Sequence, residues 1–520
     1  MIMLLTSAAA ITVHLQDSTP GVLGTSTTSF FATAGTFGPP HRDRVERNLN
    51  GVRFIFLDEF STCGLSHWAR ICMHVHAARR HVGIDSTHLY HGPLSDLHGL
   101  LVGDLRQLPQ PRHVPLYSGA AEESLRQLLA PGAGDGGAME RQIRQLEHPE
   151  GSMNLMGREL WNMVPFAFVL THQHRQQAGV GDNNEPLFML AEKFGGVQEI
   201  SQADLDTACQ QLNARVWQPP KPGIDPVPQP FAVVQRHVVR VPLALQLVQL
   251  HALAQRQQLL LWRSADLSPD GSSLPISHVH QLEALGGAED DSGVPAVCAF
   301  FAGIRYVFTS NEHVRLYHIN NNSATGTGIV LHPNEPPLPD ASIAPVHVLK
   351  FVPSAVMVRP DGPDAGRVSV DQALDVGEIP VLPCSAMFTS QHATLRLPVM
   401  RWGFRVELAY AVTDYFAQGQ TLPPHELWLV DMCKPQHGSW RRASIYVMLT
   451  RFRGLHALHL VRPLWASRAE ERRLKKALRT MLTPEADLAA EWQRLLRLSQ
   501  STAVAVPGMI VRIQASMAAS

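Results

Sequence analysis

The chain reads as an α/β protein built mainly on parallel sheets. Two observations predict this. Short apolar runs alternate with helix-like stretches along most of the length, and the first two runs end in acidic residues. The clearest runs are residues 52–57, 99–102, 164–170, 427–430 and 457–461. Asp58 and Glu59 follow the first, and Asp104 follows the second. In open α/β sheets the chemistry sits just beyond the carboxyl ends of strands, so these acids fall where a site belongs.

Between the runs, two stretches read as linkers: residues 130–138, rich in glycine, and 219–230, dense in proline. The second divides an N-terminal block from one that starts at Phe231. Residues 264–292 and 333–340 read as further loops. After Pro463 comes a helical tail, where Ser467 with Glu470 fits a capping box and the triplet Thr483, Pro484, Glu485 fits a second helix start. The basic run 472–476 in that tail reads as a solvated face, with a DNA contact as the alternative.

Composition narrows the function classes. A 45% hydrophobic share with 17% charged residues suits a packed chain of 520 residues, long enough for two or three domains. Lysine and arginine number 44 against 45 acidic residues, which speaks against a protein that coats phosphate backbones everywhere. It leaves room for a local channel. The cysteines at 63, 72, 209, 298, 384 and 433 form no CxxC pair, so reduced thiols are expected. Histidine pairs such as His74/His76 and His172/His174 lack a Cys or carboxylate partner at ligand spacing, so no metal cluster is expected. Residues 243–261 are broken by glutamines and an arginine, and no membrane span is expected. The opening MIMLLTSAAAITV lacks the basic front end of a secretory leader and reads as a buried strand, with a leader as the alternative.

Two segments carry chemistry. FLDEFS, residues 56–61, delivers adjacent carboxylates from a strand. One can hold the water shell of Mg²⁺ while the other orients or deprotonates an attacking water. A strand ending in two acids at a turn is also a common surface feature. VGDLRQLPQP, residues 102–111, brings Gln107 to the same sheet edge, where an amide can sense a γ-phosphate or position water without adding negative charge. Taken alone, it reads equally well as a proline-stiffened loop.

The order of segments resembles the petite-integration-frequency (PIF) family of superfamily-one ATP-dependent DNA helicases, especially the divergent versions found with helitron-like transposons. FLDEFS is similar to that family's Walker B motif, and GDLRQLPQP to its third motif. VLTHQHRQQ, residues 169–177, resembles the fourth, with Arg175 as its arginine. FAVVQRHVVRVPLALQLVQL (231–250), LWRSADLS with Asp266, and VFTSNEHVRLYHINNNSATGTGIV (307–330) resemble stretches of the second motor domain. AYAVTDYFAQGQTL, residues 409–422, is similar to the fifth motif, although Phe416 stands where a lysine is frequent. IYVMLTRFRGLHALHLV, residues 445–461, resembles the sixth.

The resemblance implies two RecA-like P-loop NTPase-type domains: 1–218, then a linker 219–230, then 231–465 with a small β insertion near 311–400, then a tail 466–520. It implies ATP and Mg²⁺ as cofactors, with Asp58 holding the metal through water. Asp58, Glu59, Gln107, Arg175 and Arg451 would be catalytic, with Arg451 reaching across a cleft between the two lobes to the nucleotide. Gly103, Asp104, Gly419 and Gln420 would meet the nucleotide. Thr309, Asn311, Thr413, Gln418 and Thr421 would meet DNA. The implied partner is single-stranded or forked DNA, bound by a monomer in the nucleus or mitochondrion. The sequence departs from the family at one decisive place. It contains no Gly-Lys pair, so the Gly-Lys-Ser/Thr loop that cradles phosphates is not found in it. LLTSAAAITVH (4–14) and GTSTTSFF (24–31) resemble the motif downstream of that loop. The family's first strand, loop and helix would then precede Met1, as in a truncated gene model or decayed transposon copy. On this reading the first domain is incomplete and less stable, and the chain hydrolyses no appreciable ATP.

Overall fold

The computed structural model describes residues 2–6, 22–26, 39–50, 52, 54–81, 92–109, 113–119, 149–170, 187–195, 197, 199–218, 229–285, 292–313, 316–362, 374–390, 397–420, 422–423, 426–435, 440–483 and 485–519. They fall into two compact units. The first comprises Met1–Gln177, Phe188–Gln202 and Ala477–Ser520; the second comprises Ala178–Leu187 and Ala203–Lys476.

The first unit is built on a parallel sheet of β1 (Ile2–Thr6), β2 (Val22–Ser26), β3 (Phe54–Asp58) and β4 (His98–Leu101), in the order β2-β1-β3-β4. Register places Thr6 beside Asp58 and Leu57 beside Leu101. Along β3, burial alternates with the pleat. Ile55 and Leu57 face a core shared with α1 (Pro39–Leu49), α2 (Leu65–His81) and α3 (Pro149–Asn162), which contribute Val45, Leu49, Trp68, Ile71, Val75 and Trp161. The opposite pleat face carries Phe54, which packs on His98, together with Leu100 and Val102. All three apolar side chains are exposed. Parallel sheets normally bury both faces, so this surface departs from the norm for the class.

The expected strand at 164–170 is not formed. The segment is irregular, with Phe168 63% and Leu170 87% exposed. Hydroxyls of the C-terminal helix Ala486–Ala519 take its donors: Ala167 N–H donates to Thr502 Oγ1 and Val169 N–H to Ser499 Oγ. An apolar run has no way of announcing that its backbone will be satisfied by side chains instead of a neighbouring strand.

The second unit has a parallel core sheet in the order Ala411–Thr413, β5 (Pro230–Val234), Leu427–Val430, His459–Leu460. The strand at 427–430 has the expected bounds, whereas the run at 457–461 narrows to two strand residues. All five residues of β5 are buried, as a central parallel strand requires. The helix His237–Ala254 is long and apolar enough to cross a membrane by composition. It packs on β5, buries Ala244, Leu247 and Val248, and sends Arg240 into a two-pronged pair with Glu407. Within the inserted region, strands 323–330, 355–360 and 379–381 join 305–308 and 406–408 in a five-stranded antiparallel sheet. The expected loop 264–292 holds a strand, Ala265–Leu267, and a helix, Ile276–Leu285. Asp266 in that strand forms a buried fork with Arg401.

The tail at 466–520 is divided, residues 477 onward belonging to the first unit. The capping box forms with a shift. Glu470 N–H donates to Ser467 Oγ, and the Glu470 carboxylate accepts from Ala466 N–H. Lys475 of the basic run pairs with Asp206 and Glu471. The next helix, Ala486–Ala519, begins just after the triplet at 483–485, and Thr483 Oγ1 donates to Arg479 O.

Candidate functional site

Two clusters of the expected residues form, one in each unit. In the first, β3 ends at Asp58 and the chain turns through Glu59 in the left-handed region, at φ 50°. A non-glycine residue there is strained by about 1–2 kcal/mol, and such strain gathers at functional turns. Asp58 Oδ1 accepts Glu59 N–H at 2.9 Å, and Thr62 closes the turn onto Glu59 O.

The end of β4 meets this turn directly. Val102 N–H donates to Leu57 O, and Phe60 N–H donates to Val102 O, both at 2.8 Å. Gly103 lies against the same backbone. A Cβ at that position would stand 2.7 Å from Ser61 N and 3.2 Å from Ser61 Oγ, so glycine is what lets the two strand ends close. Asp58, Glu59, Gly103, Asp104 and Gln107 therefore share one sheet edge.

Chemistry at that edge is unevenly distributed. The Gln107 Oε1 and Ser61 Oγ atoms are buried and have no hydrogen-bond partner among the described residues, a state that costs free energy unless a ligand or water fills it. Asp104, by contrast, is held by a fork from Arg106 and by the Arg106 N–H. The same guanidinium donates to both oxygens of Glu192 on the helix Leu187–Gly195 and lies 5.2 Å from the Trp492 ring. Arg106 thus fastens the Gln107 loop to two distant segments. Sequence reading passed over Arg106, Glu192, Trp492 and Ser61. The partners are 86 residues apart in the Arg106–Glu192 case, and no local spacing encodes them.

These residues suit one end of a Mg²⁺-nucleotide. The Asp58 carboxylate can hold a hydrated cation, and the amide oxygen of Gln107 can accept from water. The sequence contains no Gly-Lys pair of the kind that ends a triphosphate-cradling loop.

The second cluster surrounds the turn after the helix Asp414–Ala417. Thr413, buried, caps that helix by accepting Phe416 N–H. Gly419 adopts φ +77°, which favours glycine, between half-buried Gln418 and Gln420. Arg451 is 1% exposed. Its guanidinium donates to Val447 O at 3.1 Å, Gln420 O at 3.0 Å, Ala417 O at 3.5 Å and Thr450 Oγ1 at 2.9 Å. Asp414 is buried too, accepting from Tyr415 N–H and from the Ser444 hydroxyl, and burial raises the pKa of its carboxyl.

The remaining expected residues are placed elsewhere. Thr309 donates its hydroxyl to Gly293 O, and exposed Asn311 accepts Asn320 N–H through Oδ1. Arg175 and Thr421 lie outside the described residues.

No protein-family model matches the chain, and no curated protein matches it. Solved structures do. A structure of two coordinating Pif1 helicases unwinding forked double-stranded DNA matches with a TM-score of 0.50 at 14% identity, covering 95% of this chain and 87% of that one. Bacteroides Pif1 bound to single-stranded DNA matches with a TM-score of 0.50 at 13% identity over the same shares. Pif1 helicase from Candida albicans matches at 0.47 and 15% identity, covering 91% and 85%. The first two establish the fold. The chain is an α/β protein with parallel sheets, and its fold is like that of these Pif1 helicase structures.

Proposed function

We propose that this chain is the motor core of a DNA helicase of the Pif1 type, and that it engages single-stranded DNA or forks as a monomer in a DNA-containing compartment, nucleus or mitochondrion. The observation that carries the reading is the junction of the two strand ends in the first unit. There the Asp58–Glu59 turn packs on Gly103 and leaves the Gln107 amide oxygen unpartnered, in a fold like that of the Pif1 structures. Two segments about 40 residues apart in the chain have to close on each other for that edge to form.

In this reading Asp58 holds the water shell of Mg²⁺, Glu59 orients or deprotonates water, and Gln107 accepts a hydrogen bond from that water. Bound nucleotide would supply the free energy for strand separation. With no Gly-Lys loop in the sequence, the chain on its own is expected to bind single-stranded DNA and to turn over no appreciable ATP. The test is hydrolysis by the purified chain with and without single-stranded DNA. ATP turnover abolished by Glu59→Gln would overturn the inactive reading and leave a complete motor. Undetectable binding of single strands would remove the DNA-motor reading as well.

A second reading, a non-enzymatic single-strand-binding remnant, is favoured by one observation. The Asp104 carboxylate is committed to Arg106 and so is drawn away from a nucleotide. Binding that persists without ATP and weakens steeply with salt, with no ATPase in any preparation, is the outcome this reading requires.

A further inference from the structure

We propose that Arg451 is a positioning residue that clamps the turn at residues 417–420, which presents Gln418, a residue expected to contact DNA. In this role its guanidinium is spent on holding that turn in shape. The inference rests on the reading of Gln418 as a DNA contact and says what keeps it competent.

The geometry is specific. The two N–H groups of Nη1 go to Ala417 O and Gln420 O, the carbonyls on either side of the left-handed Gly419. Nε and Nη2 anchor the same group to Val447 O and Thr450 Oγ1, at the end of the helix Arg442–Thr450. A return bond from Leu422 N–H to Arg451 O closes the far side of the turn. The helix has a second anchor, the Ser444 hydroxyl on the Asp414 carboxylate, at the start of the same segment. The side chains of Gln418 and Gln420 are therefore presented by a loop whose two carbonyls are tied to one buried, planar cation. A lysine cannot reproduce this, because an ammonium is a point charge without the fork.

Two roles for this arginine make opposite predictions in solution. A phosphate-contacting arginine contributes to counterion release, so its loss lowers the slope of log K against log salt by about one. A clamp contacts no phosphate. Its loss weakens binding at every salt concentration and leaves the slope unchanged, because the displaced contacts are neutral amides.

The experiment measures binding of a fluorescent oligothymidylate to the full chain and to Arg451→Gln, which removes the charge, across a salt series, alongside hydrogen exchange over residues 417–422. Circular dichroism establishes that the variant is folded. The clamp predicts affinity about tenfold weaker or more, an unchanged salt slope, and faster exchange in the turn. A slope reduced by about one with turn exchange unaltered overturns it, as does a variant indistinguishable from wild type. Should R451Q fail to fold, Ser444→Ala loosens the same segment from its other anchor. The same loss at constant slope is then expected, and wild-type behaviour of folded S444A overturns the clamp. Failure of the wild-type chain to bind single strands would sink the functional reading, and the exchange comparison would still decide the clamp.

Discussion

At the scale of single residues, the sharpest constraint lies where the two acidic strand ends meet. Gly103 has no room for a Cβ, since the atoms it would strike are the backbone nitrogens of Phe60 and Ser61, which cannot swing aside as a side chain would. Gly103→Ala is expected to destabilise the first unit by about 1–3 kcal/mol, read as a lowered denaturation midpoint. A midpoint equal to wild type would mean that the two turns are not in contact. In the second unit Asp414 has a folded pKa above its ordinary 3.8, mainly through burial. The native state then holds its proton more tightly than the unfolded chain does, so this residue subtracts stability as pH rises from about 3.8 through the folded pKa. Asp414→Asn keeps the Oδ1 acceptor and removes the charge. Its stability relative to wild type should grow between acid and neutral pH, and a pH-independent difference would refute the burial explanation.

At the scale of elements, the C-terminal helix is the unexpected structural member. Glu491 is buried against Trp161 Nε1, Arg158 and Arg494. Burial raises its pKa, but the Arg494 hydrogen bond and the surrounding cations outweigh that, and the net shift is downward. The sign is therefore opposite to that of Asp414. The contribution of Glu491 is present above its ordinary 4.5 and is lost as pH falls through the folded value. Glu491→Ala leaves Arg158 and Arg494 facing a site without their carboxylate and is expected to cost about 3–5 kcal/mol. Urea unfolding followed by near-ultraviolet circular dichroism would show it, and a loss below about 1 kcal/mol would mark the pair as a surface one. The same helix reaches the candidate edge through Trp492 over Arg106, so removal of residues 484–520 should loosen the Gln107 loop as well as the core.

At the scale of the whole molecule, the two units differ in how fully they bury what they fold. The first leaves Phe54, Leu100 and Val102 bare on one sheet face, while the second buries every residue of β5. Heating or denaturant should therefore give two transitions, the first unit melting earlier and binding a hydrophobic dye as it does so. Truncation at residue 483 should lower only the earlier one. A single transition unmoved by that truncation would show that the units fold as one.

Much of this was legible in the chain itself. The α/β class, the strand at 427–430, and the delivery of Asp58, Glu59 and Gln107 from neighbouring strands follow from apolar periodicity and from polar residues placed at strand ends, both of which are local. What only the tertiary structure decided is which groups spend their charge on the protein itself. Arg106 on Asp104 and Glu192, Arg451 on the carbonyls around Gly419, and the hydroxyls of Ser499 and Thr502 on the segment at 164–170 all join partners that spacing along the chain does not connect. A sequence shows where donors and acceptors lie. Folding alone settles which of them are already satisfied, because each can be satisfied by any complementary group that packing brings within about 3 Å.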